Sequence, residues 1–265
     1  MKVFAIGDLH LGHAVDKPMD IFGPQWKDHT HRIAVNWQER VSGDDLVLVP
    51  GDLSWGMRLE EAEEDLEWLD GLPGRKILLK GNHDYWWPSI SRLRERLEGT
   101  SLFALQYDSF SVPGVTVGGT RLWTMPDLEI PYEDPLETAQ AADGGAEASR
   151  RGASQMPHDE KIFRRELGRL KLSLDSLDPE AGLRIVMTHF PPTDESGRGT
   201  ALTRLLEAYR AGICVFGHLH NLGLPPGRTW DFVKNGVRYV LVSCDSVDFA
   251  PYFLAEVEGE RRGKR

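Results

Sequence analysis

The chain has 265 residues, 31 Lys and Arg against 41 Asp and Glu, a formal charge of −10 and an apolar fraction of 40%. That is enough apolar material for a two-layer core, which excludes a disordered chain. The acidic balance argues against nucleic acid and against anionic membrane as partners, because a negative surface repels both. No apolar run approaches the ~18 residues of a membrane span. Met1-Lys2 leads straight into Val3-Phe4-Ala5-Ile6, too short a stretch to read as a signal peptide. The only cysteines, Cys214 and Cys244, sit singly in apolar runs and read as core residues. They form no disulfide framework, which fits a reducing, cytoplasmic setting.

In chain order, the strand-like run Val3–Ile6 ends in Gly7-Asp8, and a helix is expected over His29–Arg40. Leu46–Val49 ends in Pro50-Gly51-Asp52 and is followed by a helical stretch, Leu59–Leu69. Its acidic part, Glu60–Glu67, reads as a solvated face. Ile77–Leu79 ends in Lys80-Gly81-Asn82, with a helix expected over Ser89–Leu97. Strand character returns at Val112–Gly118. Glu137–Ser154, rich in Ala, Gly and Ser without apolar periodicity, reads as a mobile loop inside an insert at about 120–157 of an otherwise single domain. A helix over His158–Leu174 precedes Ile185–Met187, which ends in Thr188-His189. Another over Thr200–Arg210 precedes Ile213–Phe216, which ends in Gly217-His218. Thr229–Val233, Val237–Val242 and Tyr252–Val257 read as strands without long helices between them, suggesting hairpins that extend the sheet or build a second one. Strand–helix alternation predicts an α/β sandwich.

Five separate apolar runs thus end in Asp, Asn or His. In α/β sheets ligands bind beyond the carboxyl ends of the strands, so these side chains are expected to meet in one place. Asp8 and His10 are two residues apart, as are His218 and His220. In extended backbone each pair points to one side. Asn82 and His83 are adjacent and should diverge, one toward a metal and one toward substrate. Glycines before the polar residues (Gly7, Gly51, Gly81, Gly217) allow tight turns and close approach.

The order Asp8-x-His10, Gly51-Asp52, Gly81-Asn82-His83-Asp84, His189, Gly217-His218-x-His220 resembles the calcineurin-like metallophosphoesterase superfamily. The motifs run from residue 8 to residue 220. The resemblance implies a four-layer α/β/β/α sandwich of two mixed sheets flanked by helices. It implies two divalent ions, one held by Asp8, His10, Asp52 and His220. The other would be held by Asp52, Asn82, His189 and His218, with Asp52 shared. It also implies a substrate-facing His83 that Asp84 orients, and a bridging hydroxide as the nucleophile. Two ions about 3.5–4 Å apart both activate water and relieve charge on the phosphoryl oxygens. A donor set of imidazole, carboxylate and one amide, without thiolate, suits Mn, Fe, Zn, Co or Ni and disfavours Ca.

The expected function is hydrolysis of a small phosphomonoester or phosphodiester. A DNA nuclease of the same superfamily and a non-catalytic metal-binding scaffold are the alternatives. Tyr85, Trp86, Trp87, Trp55 and Trp123 are candidates either for a site mouth or for packing. His13, His29 and His31 read as solvated or capping residues, with His13 nearest the centre. Arg58 and Arg121 are possible phosphate clamps that the sequence does not distinguish from surface arginines.

Overall fold

The computed structural model describes residues 1–125, 128, 130, 156–225 and 228–257. The loop expected at Glu137–Ser154 lies outside the described residues. The start of the expected insert does not: Leu122, Met125 and Leu128 are buried in a core cluster.

Two sheets form the centre. The first holds β1 (Lys2–Ala5), β2 (Leu46–Val49), β3 (Arg75–Leu78), β4 (Leu102–Ala104) and β11 (Tyr252–Glu256), in the order β11-β1-β2-β3-β4. The second holds β5 (Ser109–Val112), β6 (Val115–Thr120), β7 (Leu183–Thr188), β8 (Ile213–Phe216), β9 (Asp231–Lys234) and β10 (Val237–Leu241), in the order β5-β6-β7-β8-β10-β9. Inner strands pair in parallel. The antiparallel pairs are β1 with β11, β5 with β6 and β9 with β10, so both sheets are mixed.

The side-chain period of two decides the layers. In β1, Val3 and Ala5 pack between the sheets while Phe4 faces outward. In β2, Leu46 and Leu48 face the second sheet while Val47 and Val49 face helices. In β8, Ile213 and Val215 face the first sheet while Cys214 and Phe216 face the other way. Strands covered on both faces read as continuous apolar runs, which is why they stand out in the sequence. Outside the first sheet lie α1 (His29–Arg40), α2 (Leu59–Asp70) and α3 (Ile90–Arg96). Outside the second lie α4 (Met156–Asp175) and α5 (Ala201–Ala208). Thr200 starts α5 with a capping box shared with Thr203. The result is the four-layer α/β/β/α sandwich of the sequence expectation.

One element departs from the sequence reading. The run at Val112–Gly118 is not one strand: β5 turns at Gly114, whose φ is +83°, into β6. The last strand, β11, extends the first sheet at its edge beside β1, while β9 and β10 belong to the second. No helix among the described residues is long and apolar enough to cross a membrane.

Candidate metal centre

The carboxyl ends of β1, β2, β3, β7 and β8 converge, and the polar residues that follow them are brought together. Ligand atoms of Asp8, His10 and His220 all lie within 4.8 Å of one another, and so do those of Asp8, Asp52 and His189. All five residues are buried. Asp52 Oδ2 stands 4.0 Å from His10 Nε2 and 3.4 Å from His189 Nε2, between the two groups. Asp8 Oδ1 is 3.8 Å from His189 Nδ1 and 3.8 Å from His220 Nε2, so Asp8 reaches both groups rather than one. Asn82 Oδ1 is 2.5 Å from His189 Nε2. The His218 ring stands beside these, its centroid 5.2 Å from that of His189 and 4.3 Å from that of Phe190, while its backbone N–H donates to both oxygens of Asp8.

The convergence has a different local cause from the one expected. Asp8 and His10 do not alternate along an extended strand. Their φ values are 55° and 46°, and those of Asp52 and His218 are 52° and 73°. These left-handed turns are uncommon outside glycine, although Asp and His tolerate them better than most residues. Backbone strain of this kind persists where surrounding structure enforces it, and it clusters at functional sites. Two glycines make the enforcement possible. A Cβ at Gly81 would lie 2.0 Å from Asp52 Oδ1, and one at Gly217 would lie 2.2 Å from Asp8 Oδ2. The strand ends therefore touch the carboxylates directly.

Asp84 does not fit the role of holding the His83 ring, because its carboxylate is committed elsewhere. Oδ1 accepts from the backbone N–H groups of Leu53 and Ser54 and from the Trp86 indole. Oδ2 accepts from the N–H groups of Asp52 and Gly81. Asp84 thus ties the turn after β2 to the turn after β3. The Asn82 amide meets His189, while the His83 ring lies against Trp55 and His10. The His83 ring is buried 5.0 Å from Trp55 and 5.8 Å from His10, and the backbone N–H of His83 donates to Asp52 Oδ1 at 2.8 Å.

Outer partners fix the imidazoles. His189 Nδ1 lies 3.0 Å from the carbonyl oxygen of Pro50, and His220 Nδ1 lies 2.8 Å from Asp245 Oδ1. Against such acceptors Nδ1 carries the proton, so each Nε2 presents a lone pair to the cluster. Those lone pairs face carboxylate and amide oxygens, which are acceptors too. Acceptors crowded around one point without protons between them form the donor set of a cation. Burial sharpens the need. It pushes the Asp8 carboxyl up to about 6, with opposing help to the charge from His220. It raises Asp52 well above the usual carboxylate range and holds His10 and His189 far below the usual imidazole range.

Sequence reasoning missed Asp245. It follows the apolar strand β10 with three residues between, so the same strand-end pattern extends to it. It also missed Asp65, which belongs to the stretch read as solvated but is fully buried. Asp65 accepts from the Ser54 hydroxyl and pairs with His13 at 2.6 Å. His13 is thereby a bracing residue beside the centre. Of the aromatics, Trp55 stacks on His10 at 4.8 Å with Lys17 over the Trp55 ring at 3.5 Å. Trp26, unnoticed in the sequence, packs edge-on to His10 and His220. Trp86 is core, Trp123 packs on Phe190, and Tyr85 is exposed. The two arginines separate: Arg58 is an exposed partner of Glu61, whereas Arg121 is half-buried with its pKa lowered by burial.

The model of one family, calcineurin-like phosphoesterase, matches residues 1–222. The chain belongs to this family. The matched span contains every predicted metal ligand. Among curated proteins, this phosphoesterase family member is 42% identical over 84 residues to the Gene 66 protein of Mycobacterium phage D29, covering 31% of this chain and 40% of that protein. The Gene 66 protein of Mycobacterium phage L5 is 35% identical over 77 residues, 29% of this chain and 37% of that protein. The matches span about two fifths of the length of these relatives. A solved structure, the phosphopantetheinyl hydrolase PptH from Mycobacterium tuberculosis, superposes with a TM-score of 0.50 at 18% identity, covering 91% of this chain and 88% of that one. That likeness shows a shared fold.

Proposed function

We propose that the chain hydrolyses phosphate monoesters or diesters with two divalent ions in the cluster, one held by Asp8, His10, Asp52 and His220. The other is held by Asp52, Asn82, His189 and His218. The observation that carries the reading is the convergence of buried acceptors on both sides of Asp52 Oδ2, with His10 at 4.0 Å and His189 at 3.4 Å. The donor set fits Mn, Fe, Zn, Co or Ni better than Ca. When bound, such ions supply Lewis acidity, polarising the phosphoryl oxygens and making water acidic enough to attack at neutral pH.

The chain's own groups do the remaining work. The His83 N–H holds Asp52 Oδ1 and so turns Oδ2 toward both halves of the cluster. Pro50 and Asp245 keep the proton on Nδ1 of His189 and His220, which leaves Nε2 available as a ligand. Trp26 and Trp55 wall the His10 side against water. The His83 ring, beside Trp55 and His10, protonates the leaving oxygen in this reading.

The test is hydrolysis of a nitrophenyl phosphodiester after exhaustive chelation and again after addition of Mn. Turnover that is absent without metal and restored by Mn supports the reading. A correctly folded chain that stays inert toward a panel of monoesters and diesters with each of the five metals supports the scaffold alternative instead.

A further inference from the structure

A cavity of about 250 Å³ lies near the ends of β3, β4 and β6, with α4 along one side. Its charge runs against that of the whole chain. Lys80, Arg121, Arg165 and Arg169 line it, and among the described residues Glu166 is the only acid that does. Glu166 is 2% exposed and already committed. Its Oε1 accepts from Arg169 at 2.6 Å and Arg165 at 3.4 Å, and its Oε2 accepts from the Thr120 hydroxyl at 2.8 Å.

That leaves two cations over. Among the described residues, neither the Lys80 ammonium nor the Arg121 guanidinium makes a hydrogen bond or an ion pair. Both are half-buried, and burial lowers the pKa of each. Arg121 lies over the Trp123 ring at 4.8 Å, which aligns the planar group without satisfying its donors. Partly desolvated donors without acceptors cost free energy that an anion would recover.

The cavity is wired to the centre. The Arg121 carbonyl accepts the N–H groups of His189 at 3.1 Å and Phe190 at 3.0 Å. Lys80 is two residues before Asn82. The Arg121 charge is close enough to act on both Asp52 and His189. Lys80 and Arg121 therefore flank the strand ends that carry Asn82 and His189.

We propose that Lys80 and Arg121 form an anion subsite that takes a second phosphoryl group of the substrate, so that the preferred substrates are diphosphate esters. The proposal rests on the phosphoesterase reading above. Guanidinium offers a planar fork matched to phosphate, and ammonium a point charge beside it. Trp87 lines the same cavity and gives an apolar surface for the organic part next to that phosphate.

Two measurements on the metal-loaded full chain test it. In the first, phenylglyoxal labels arginines with and without inorganic pyrophosphate, and the sites are mapped by mass spectrometry. Arg121 is expected to be protected, exposed Arg204 is expected to be unaffected, and Lys80→Met is expected to remove most of the protection. Equal labelling of Arg121 with and without pyrophosphate, or protection indifferent to Lys80→Met, overturns the subsite. In the second, kcat/KM is compared for a nitrophenyl nucleoside phosphate and the matching nitrophenyl nucleoside diphosphate. Arg121→Leu is expected to lower the preference for the diphosphate about tenfold or more, the loss of one or two hydrogen bonds to a charged group. An unchanged preference alongside intact protection assigns the pocket to a free phosphate and overturns the substrate role. Labelling needs no turnover, so protection in a chain that hydrolyses nothing would sink the phosphoesterase reading and leave the anion site standing.

Discussion

The two sheets build their halves of the cluster by different means. The ends of β1, β2 and β3 deliver Asp8, His10, Asp52 and Asn82 on main chain that is locked in place. Left-handed turns at Asp8, His10 and Asp52, four backbone N–H groups on Asp84, and the contact of Gly81 with Asp52 leave that half no room to adjust. The ends of β7 and β8 deliver His189 and His220, whose rings are set by outer hydrogen bonds to Pro50 and Asp245. The carboxylate half is held by three left-handed turns and the Asp84 bonds, whereas the His189 and His220 rings each depend on one outer hydrogen bond, to the Pro50 carbonyl and to the Asp245 carboxylate. Damage to the first should remove the site, and damage to the second should only weaken it.

Asp84→Ala strikes the first half hardest. It strands four backbone donors and the Trp86 indole in a buried region. The expected loss is about 3–5 kcal/mol of unfolding free energy, together with metal binding. Denaturant titration and elemental analysis would read both, and a loss below about 1 kcal/mol would dissolve the contrast between the halves.

His83→Ala separates the two duties of that residue, since the backbone N–H that holds Asp52 survives the change. Metal content should stay, while hydrolysis falls by about 10²–10⁴ for esters with poor leaving groups and less for nitrophenyl esters. A uniform loss across leaving groups would assign the ring to phosphoryl charge rather than to proton transfer.

Asp245→Ala tests the imidazole half. Loss of an outer partner of a ligating histidine weakens metal affinity by about 10–100-fold. Chelator competition should show this drop with the fold intact. Complete metal loss would mean that the imidazole half is as brittle as the other.

The smallest effect is a difference in acid response. In the metal-free chain the folded Asp8 carboxyl takes its proton near pH 6, while the unfolded one does so near 3.8. The folded state therefore binds the extra proton in that window, and Asp8 adds stability as pH falls through it. His10 and His189 act oppositely. Burial keeps them neutral when folded, so the unfolded chain takes up protons below about 6.5 and stability drains away as pH falls. Asp8→Asn should make the metal-free chain lose stability more steeply between pH 6 and pH 4, by about 1–2 kcal/mol. A denaturant midpoint series over that range would show it, and parallel curves for the two proteins would contradict it.

Much of this was legible in the sequence because strands buried on both faces are apolar throughout, so their ends are visible. Val3–Ile6, Leu46–Val49 and Ile213–Phe216 announce themselves, and the polar residue after each marks the site. The helix at His29–Arg40 was equally plain. What the sequence hid were features that depend on direction. The left-handed turns at Asp8 and His10 bring the pair together as well as an extended strand would, so spacing alone does not tell the two apart. Asp84 sits beside His83 in sequence, yet its carboxylate turns back to the Asp52 loop. Asp65 looks solvated among glutamates until the helix phase places it inward against Ser54. Arg121 and Arg58 were indistinguishable because burial decides between them, and burial comes from α4 far along the chain.

The central claim is that Asp52 joins two metal sites, and counting ions tests it most directly. Elemental analysis of wild type, Asp52→Ala and His220→Ala, each loaded with Mn and freed of excess, should give two ions per wild-type chain. His220→Ala should keep the ion on the His189 side. Asp52→Ala should retain less than His220→Ala does. Two ions retained in Asp52→Ala, with its fold intact, would contradict the account.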